Sequence, residues 1–568
     1  MNQFRFVTRI LYRVPMMRKI CLLLLLGLLA LPVLARQPAG IATAHPLATR
    51  AGEEILQAGG NAFDAAVAIS AALAVVEPYS SGLGGGGFWL LHRAEDGRDI
   101  MVDGRERAPL KAHRDMYLDD QGKVIEGASV DGPLSAGIPG VPAGLAHIAE
   151  KYGRLSLQSS LQPAIRLARE GFEVESHYQR MARFRLRPLL ASKDAARIFL
   201  RQGEVPAVGT VITQPELADT LQAIARQGAS GFYQGPLAER LVAGVKAAGG
   251  IWQLSDLADY RIVERAPVRG EYRGMKITSV APPSSGGVAL LEIFNQLATV
   301  DLTAMSSTRR MHYVVEAMRR AYRDRAEYLG DTDFVRVPLA RLIDPRYGAG
   351  LAAGIHPGKA TPSDLLPGVL SSQKARDTTH FSVIDHHGNR VAATLSINYP
   401  FGSCFVAPGT GVLLNDEMDD FSARPGQPNV YGLVGGEANA IAPGKRMLSS
   451  MSPTFLEYES RLAVIGTPGG SRIITMVLLG ALAFHDGADA RGIVDLPRYH
   501  HQYLPDKIFL EKQALKSVNA EQLKAMGHKL SESDRDWGNM QLVIYDRRDR
   551  TMDAASDRRG IGESRVIR

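Results

Sequence analysis

Small and apolar residues recur at helical spacing over residues 48–77, which read as helical. Asn61 can cap a helix whose Ala65, Ala66, Ala68, Ala71, Ala72 and Leu73 form a small-residue face suited to close packing, and Pro78 stops it. After a Ser/Gly-rich interruption at 80–87, Phe88-Trp89-Leu90-Leu91 is an apolar run short enough for a buried strand. Residues 311–329 predict a second helix: Val314, Val315, Met318 and Ala321 make its apolar stripe, and Arg319, Arg320, Arg323 and Asp324 are expected to face water. From Thr378 the pattern changes. Residues 379–384, 390–397 and 411–414 are β-rich, with 385–389 as the turn between the first two. Strands at 462–465 and 541–545 follow, with a helix over 473–484 between them, and no repeat of fixed period is present. Helices on both sides of clustered strands predict a layered α/β/β/α body, with strand order left open.

Composition changes this picture mainly at the N-terminus. The chain has 568 residues, 45% hydrophobic and 22% charged, which is ordinary for a globular protein and excludes a fibre or a mainly disordered chain. The net charge of +7 at first suggests a polyanion partner, but Arg5, Arg9, Arg13, Arg18 and Lys19 precede any acid; removing those five charges from +7 leaves +2. Nothing electrostatic then argues for nucleic acid. A basic stretch, an apolar run over 21–35 and Val33-Leu34-Ala35 as a cleavage site predict an export signal spanning 1–35, with Met16 and Met17 as further possible starts. The apolar run is shorter than the ~20 residues that span a bilayer comfortably, so a retained anchor is the lesser alternative. Cys404 is the one cysteine beyond that segment, which excludes an internal disulfide, a CxxC redox site and a Cys-rich zinc site.

Few motifs of known chemistry occur. Residues 82–87 match GxGxxG, but a helix precedes and a strand follows, so a tight turn with close backbone approach is favoured over a dinucleotide site. There is no GxSxG elbow, HExxH or P-loop. His386-His387 and His500-His501 read as solvated or structural, since adjacent residues point to opposite sides of a strand. More informative is a concentration of hydroxyls, carboxylates and glycines: Asp377-Thr378-Thr379-His380, Thr394-Leu395-Ser396-Ile397-Asn398, Asn415-Asp416-Glu417-Met418-Asp419-Asp420, Ser449-Ser450-Met451 and Gly466-Thr467-Pro468-Gly469-Gly470-Ser471.

These segments, with Gly59-Gly60-Asn61-Ala62-Phe63-Asp64, Asp103-Gly104-Arg105-Glu106, Pro282-Pro283-Ser284-Ser285-Gly286-Gly287 and Tyr328-Leu329-Gly330-Asp331, resemble the γ-glutamyltransferase (glutathione hydrolase) family of N-terminal-nucleophile hydrolases from about Ala39 to the C-terminus. The resemblance implies a four-layer αββα sandwich and a precursor that cuts itself between Asp377 and Thr378. The expected products are a large subunit, 36–377 after signal removal, and a small subunit, 378–568, paired as a heterodimer. Thr378 would be the nucleophile and its freed α-amine the base, since an α-amine has an ordinary pKa of about 7.7–8.0. Gly469 and Gly470 would hold the oxyanion, with the Ser396 hydroxyl near the nucleophile. Arg105, Ser449 and Ser450 would hold the α-carboxylate of a γ-glutamyl head, and Asn398, Glu417 and Asp420 its ammonium. Tyr431 belongs to a segment, 425–436, that resembles the lid loop of some members. The implied substrates are glutathione and other γ-glutamyl compounds, with water, amino acids or peptides as acceptors and no cofactor or metal. The implied location is periplasmic or secreted. Two departures from the common family pattern stand out: Ser396 replaces a frequent Thr, and Glu417 a frequent Gln. The rival readings are a glutaryl or cephalosporin-type acylase, whose pocket needs no ammonium site, and a non-catalytic exported binding protein of the same fold.

Overall fold

A computed structural model describes residues 37–366, 378–422 and 436–568; the expected signal, Asp377 and Tyr431 lie outside the described residues. Two sheets are built, in chain order, from β1 (Ala39–Thr43), β2 (Gly86–Arg93), β3 (Arg98–Gly104), β4 (Val263–Arg265), β5 (Val268–Tyr272), β6 (Met275–Ser279), β7 (Thr379–Ile384), β8 (Arg390–Ser396), β9 (Thr454–Tyr458), β10 (Arg461–Gly466), β11 (Gln541–Asp546), β12 (Thr551–Ser556) and β13 (Glu563–Ile567). The first runs β13-β1-β7-β8-β2-β3-β4 and the second β12-β11-β10-β9-β6-β5. Every neighbouring pair in both is antiparallel.

Helices α1 (Pro46–Gln57), α2 (Ala62–Val76) and α3 (Leu157–Glu170) lie on the first-sheet side, where α1 meets β1 and α2 meets β7 and β8. Helices α4 (Gly286–Leu297), α5 (Ser307–Tyr328) and α6 (Arg472–His485) lie on the other side, where α4 meets β5 and β6 and α6 meets β9 and β10. The sheets face each other through β7, β8, β10 and β11, giving the four-layer αββα sandwich. The run 88–91 shows why it is apolar throughout: Trp89 and Leu91 join the core beneath α2, while Phe88 and Leu90 join the core shared with the second sheet. Strands from before and after position 378 interleave, for β1 lies between β7 and β13, and β8 pairs with β2. Among the described residues no helix is long and apolar enough to cross a membrane.

Asn61 does cap α2: its side chain accepts from the backbone N–H groups of Phe63 and Asp64, and Asp64 returns a bond to Asn61 N at 2.9 Å. Three expectations are corrected. Residues 48–77 form two helices, because the chain turns at Gly59, whose φ of 91° suits glycine. Arg319, Arg320 and Asp324 do not face water but are buried, with Arg319 and Arg320 paired to Glu316 and Asp324 accepting from Tyr347. Residues 411–414 form no strand; Leu413 and Leu414 make single bridges to Val406 and Gly84. The glycine-rich turn is as tight as expected: a Cβ at Gly84 would sit 2.1 Å from the Leu413 carbonyl oxygen, and one at Gly85 2.2 Å from that of Ser396.

Candidate active site

Thr378 stands one residue before β7, buried at its mouth. The β7–β8 ladder pairs Thr379 with Leu395, which brings Thr378 beside Ser396, the last residue of β8, with Oγ1 and Oγ 3.4 Å apart. The Ser396 hydroxyl also accepts from Asn398 N at 2.8 Å, and Asn398, at φ 78°, donates through Nδ2 to the Asp416 carbonyl at 2.9 Å. Thr379 donates elsewhere, to Glu77 Oε2 at 2.7 Å.

Gly469 and Gly470 lie in the turn between β10 and α6, at φ 138° and 59°. Their carbonyls accept from Arg472 N and Ile473 N and start α6, while their own N–H groups donate to no described residue. A Cβ at Gly469 would approach Met476 Cε to 2.5 Å.

Arg105 follows β3 and is fully buried. Its Nη2 lies 2.5 Å from Asp420 Oδ2 and its Nη1 2.9 Å from Glu417 Oε2, with Glu106 Oε2 at 3.5 Å, and Nε donates to the Met447 carbonyl. Spacing alone favours a surface pair for Arg105 with Glu106 or Asp103; burial replaces it with a bridge between two acids 312 and 315 residues away. Burial first, and then the charge of Glu417, push the Glu106 carboxyl well up, toward its neutral form. Ser449 and Ser450 are positioned by the Pro282–Gly287 segment. Ser285 donates through N and Oγ to the Ser449 carbonyl at 2.8 and 2.7 Å, and Arg325 bridges Ser285 Oγ and Ser450 Oγ at 2.9 and 3.1 Å.

Arg105, Thr378, Ser396, Asn398, Glu417, Asp420, Ser449, Ser450 and Gly470 together line one small cavity, whose apolar wall adds Met451 and Ile473. Gly469 lines a second cavity of about 570 Å³, and Thr378 belongs to both. Sequence reasoning missed Glu77, Arg325 and Asp416, the last fully buried with Oδ1 accepting from Tyr399 N at 2.9 Å. Arg325 and Asp416 act on the site through other residues, and Glu77 both lines the larger cavity and accepts from Thr379, so no spacing pattern marks them. Cys404 is buried, and burial pushes its thiol up to about 12.

One cluster of metal-ligating types exists among the described residues, His312, Glu316 and His528. Most of its ligand atoms are committed: His312 Nδ1 and His528 Nε2 share a hydrogen bond at 2.8 Å, and Glu316 accepts from Arg319, Arg320 and Thr361 N. It shares no residue with either cavity.

Two antiparallel sheets between helical layers, with a threonine heading an inner strand at the junction of two cavities, define an N-terminal-nucleophile hydrolase architecture. The solved structure of a cephalosporin acylase from Bacillus halodurans is similar at a TM-score of 0.81 and 27% identity, over 93% of this chain and 96% of that one. Sequence relatives are closer in identity. A glutathione hydrolase proenzyme of Pseudomonas sp. (strain A14) is 46% identical over 86% of each chain, and that of Escherichia coli (strain K12) is 42% identical over 94% of this chain and 92% of the relative. Residues 48–567 match the family described as Gamma-glutamyltranspeptidase, and the chain belongs to that family.

Proposed function

We propose that this protein is an exported, self-cleaving γ-glutamyltransferase and glutathione hydrolase. The observation that carries the reading is the position of Thr378, which borders both a small cavity lined by Arg105, Glu417, Asp420, Ser449 and Ser450 and a larger cavity of about 570 Å³. In maturation, Thr378 Oγ1 attacks the Asp377 carbonyl, the amide becomes an ester, and water opens it. The fragments 36–377 and 378–568 remain paired. The freed α-amine then takes the Oγ1 proton as Oγ1 attacks the γ-carbonyl of glutathione or a related amide. Negative charge on the carbonyl oxygen is met by the N–H groups of Gly469 and Gly470. The amine leaves with a proton, and the acyl group passes to water, an amino acid or a peptide.

Arg105, Ser449 and Ser450 hold the glutamyl α-carboxylate, and Asn398, Glu417 and Asp420 its ammonium. Arginine suits the first task because its planar fork meets two oxygens at once. The cluster of one guanidinium with two paired acids favours a zwitterionic head over the singly charged side chain of a glutaryl-type substrate. Mass spectrometry of the purified protein and release of p-nitroaniline from γ-glutamyl-p-nitroanilide test the proposal. Two chains, the smaller beginning at Thr378, together with anilide release are expected; a fully active single chain overturns the maturation step, and absence of anilide release overturns the activity.

A further inference from the structure

The larger cavity beside Thr378 has a wall rich in guanidinium groups, and they differ in how they are satisfied. Arg559 is committed to Glu511 and Asp557, and Arg180 donates to His177 Nδ1 at 2.8 Å. Arg472 is not committed. It opens α6 two residues past Gly470, its guanidinium lies 4.6 Å from the centre of the Trp537 ring, and its Nε is buried without an acceptor among the described residues. The Trp537 indole N–H is also buried without an acceptor among the described residues. Arg535, exposed on the same wall, makes no ion pair or side-chain hydrogen bond with a described residue. Of the acids on this wall, Glu77 already accepts from Thr379, and Asp536 is exposed.

Buried donors without acceptors are costly to leave unmade, and a guanidinium stacked on an aromatic face is held in one orientation with its edge free. We propose that Arg472, backed by Trp537 and assisted by Arg535, is a carboxylate-reading site, so that the larger cavity selects leaving groups and acceptors that carry a free α-carboxylate. This rests on the γ-glutamyl reading above. Burial, and then Arg535, lower the Arg472 guanidinium to about 10, which leaves it a cation at neutral pH. With the acceptor carboxylate on Arg472, the acceptor amine is presented toward the ester at Thr378. Its lone pair attacks the γ-carbonyl and forms the new C–N bond, the C–O bond to Thr378 breaks, and the amine proton passes through the Thr378 α-amine to Oγ1.

The test is transfer from γ-glutamyl-p-nitroanilide to glycylglycine and to glycylglycinamide, which masks the carboxylate at nearly constant size. The readout is the ratio of kcat/KM for the two acceptors within each protein, which a general loss of activity does not move. Wild type is expected to prefer glycylglycine by about tenfold or more, the worth of one charge-assisted contact. Arg472→Gln should bring the ratio toward one, mainly through KM, with Arg472→Lys between the two. A wild-type ratio near one, or an unchanged ratio in Arg472→Gln, overturns the assignment. Should Arg472→Gln not yield folded protein, Arg535→Gln at its exposed position gives the same readout, and an unchanged ratio there counts equally against it. Anilide release by wild type without any acceptor reports on the γ-glutamyl reading alone. Release without acceptor discrimination therefore sinks only the carboxylate site, whereas no release sinks the reading beneath it.

Discussion

Thr378 and Thr379 are adjacent hydroxyls with different neighbours, Ser396 for the first and Glu77 for the second. Thr378→Ala should leave an uncut, inactive chain. Thr379→Ala should still be cut but be less stable by about 1–3 kcal/mol, because it removes a buried hydrogen bond to a carboxylate. Intact-mass analysis and a urea melt check both; cutting lost in Thr379→Ala and kept in Thr378→Ala would move the nucleophile by one position. Arg105 calls for a second comparison. Its bridge to Glu417 and Asp420 means that a substrate lacking the ammonium does not leave those acids facing each other uncompensated, the situation in which rejection would be most severe. A glutaryl anilide is therefore expected to react about 10–100-fold more slowly in kcat/KM than the γ-glutamyl anilide, the scale of one charged hydrogen bond. Comparable rates would favour the acylase reading.

The elements explain which of these features could be read from the chain. The α2 cap was legible because Asn61 and Asp64 are a local signal, complete within four residues. The burial of Arg319 and Arg320 was not, since Glu316 is their neighbour on the helix but Ser363 and Asp506 arrive from distant loops. Likewise 411–414 have strand-like composition, yet the glycine turn at 82–87 occupies the space beside them and permits single bridges only. Family resemblance singled out candidate residues that the structure brings to one small cavity, whereas Glu77, bonded to Thr379, and Arg325, bonded to Ser285 and Ser450, carry no local mark. Two glycines of β10 and the turn after it give a test at this scale. A Cβ at Gly466 would meet the His380 ring at 2.2 Å, so Gly466→Ala should cost about 1–3 kcal/mol or more in a denaturant melt through overpacking between the sheets. Gly469→Ala should instead reduce kcat, by about 10²–10³-fold if its N–H is displaced from the oxyanion. Near wild-type kcat in that variant would remove Gly469 from the hole.

For the molecule as a whole, burial keeps several histidines neutral: His45, His380 and His528 are lowered to about 3, and His501 to about 4. The unfolded chain binds protons at these sites below about pH 6.5 and the folded one does not, so their contribution is complete above that value and is lost as the pH falls toward the folded values. The urea midpoint should thus drop between pH 7 and pH 5; a midpoint that stays level would contradict it. The placement of β1 between β7 and β13 has a different consequence. In the uncut chain, residues 39–43 reach their slot as part of one molecule, on a clock that does not depend on how many others are present. With the cut at 377/378 proposed above, the same strand would belong to a separate polypeptide, and filling the slot again would require an encounter. Folding is then unimolecular once and bimolecular ever after. Recovery of the mature enzyme from denaturant should accelerate with protein concentration, while recovery of the uncut Thr378→Ala chain should not. At low concentration, a cut molecule that unfolds would in practice be spent, and its working life would be set by how slowly the two sheets first come apart.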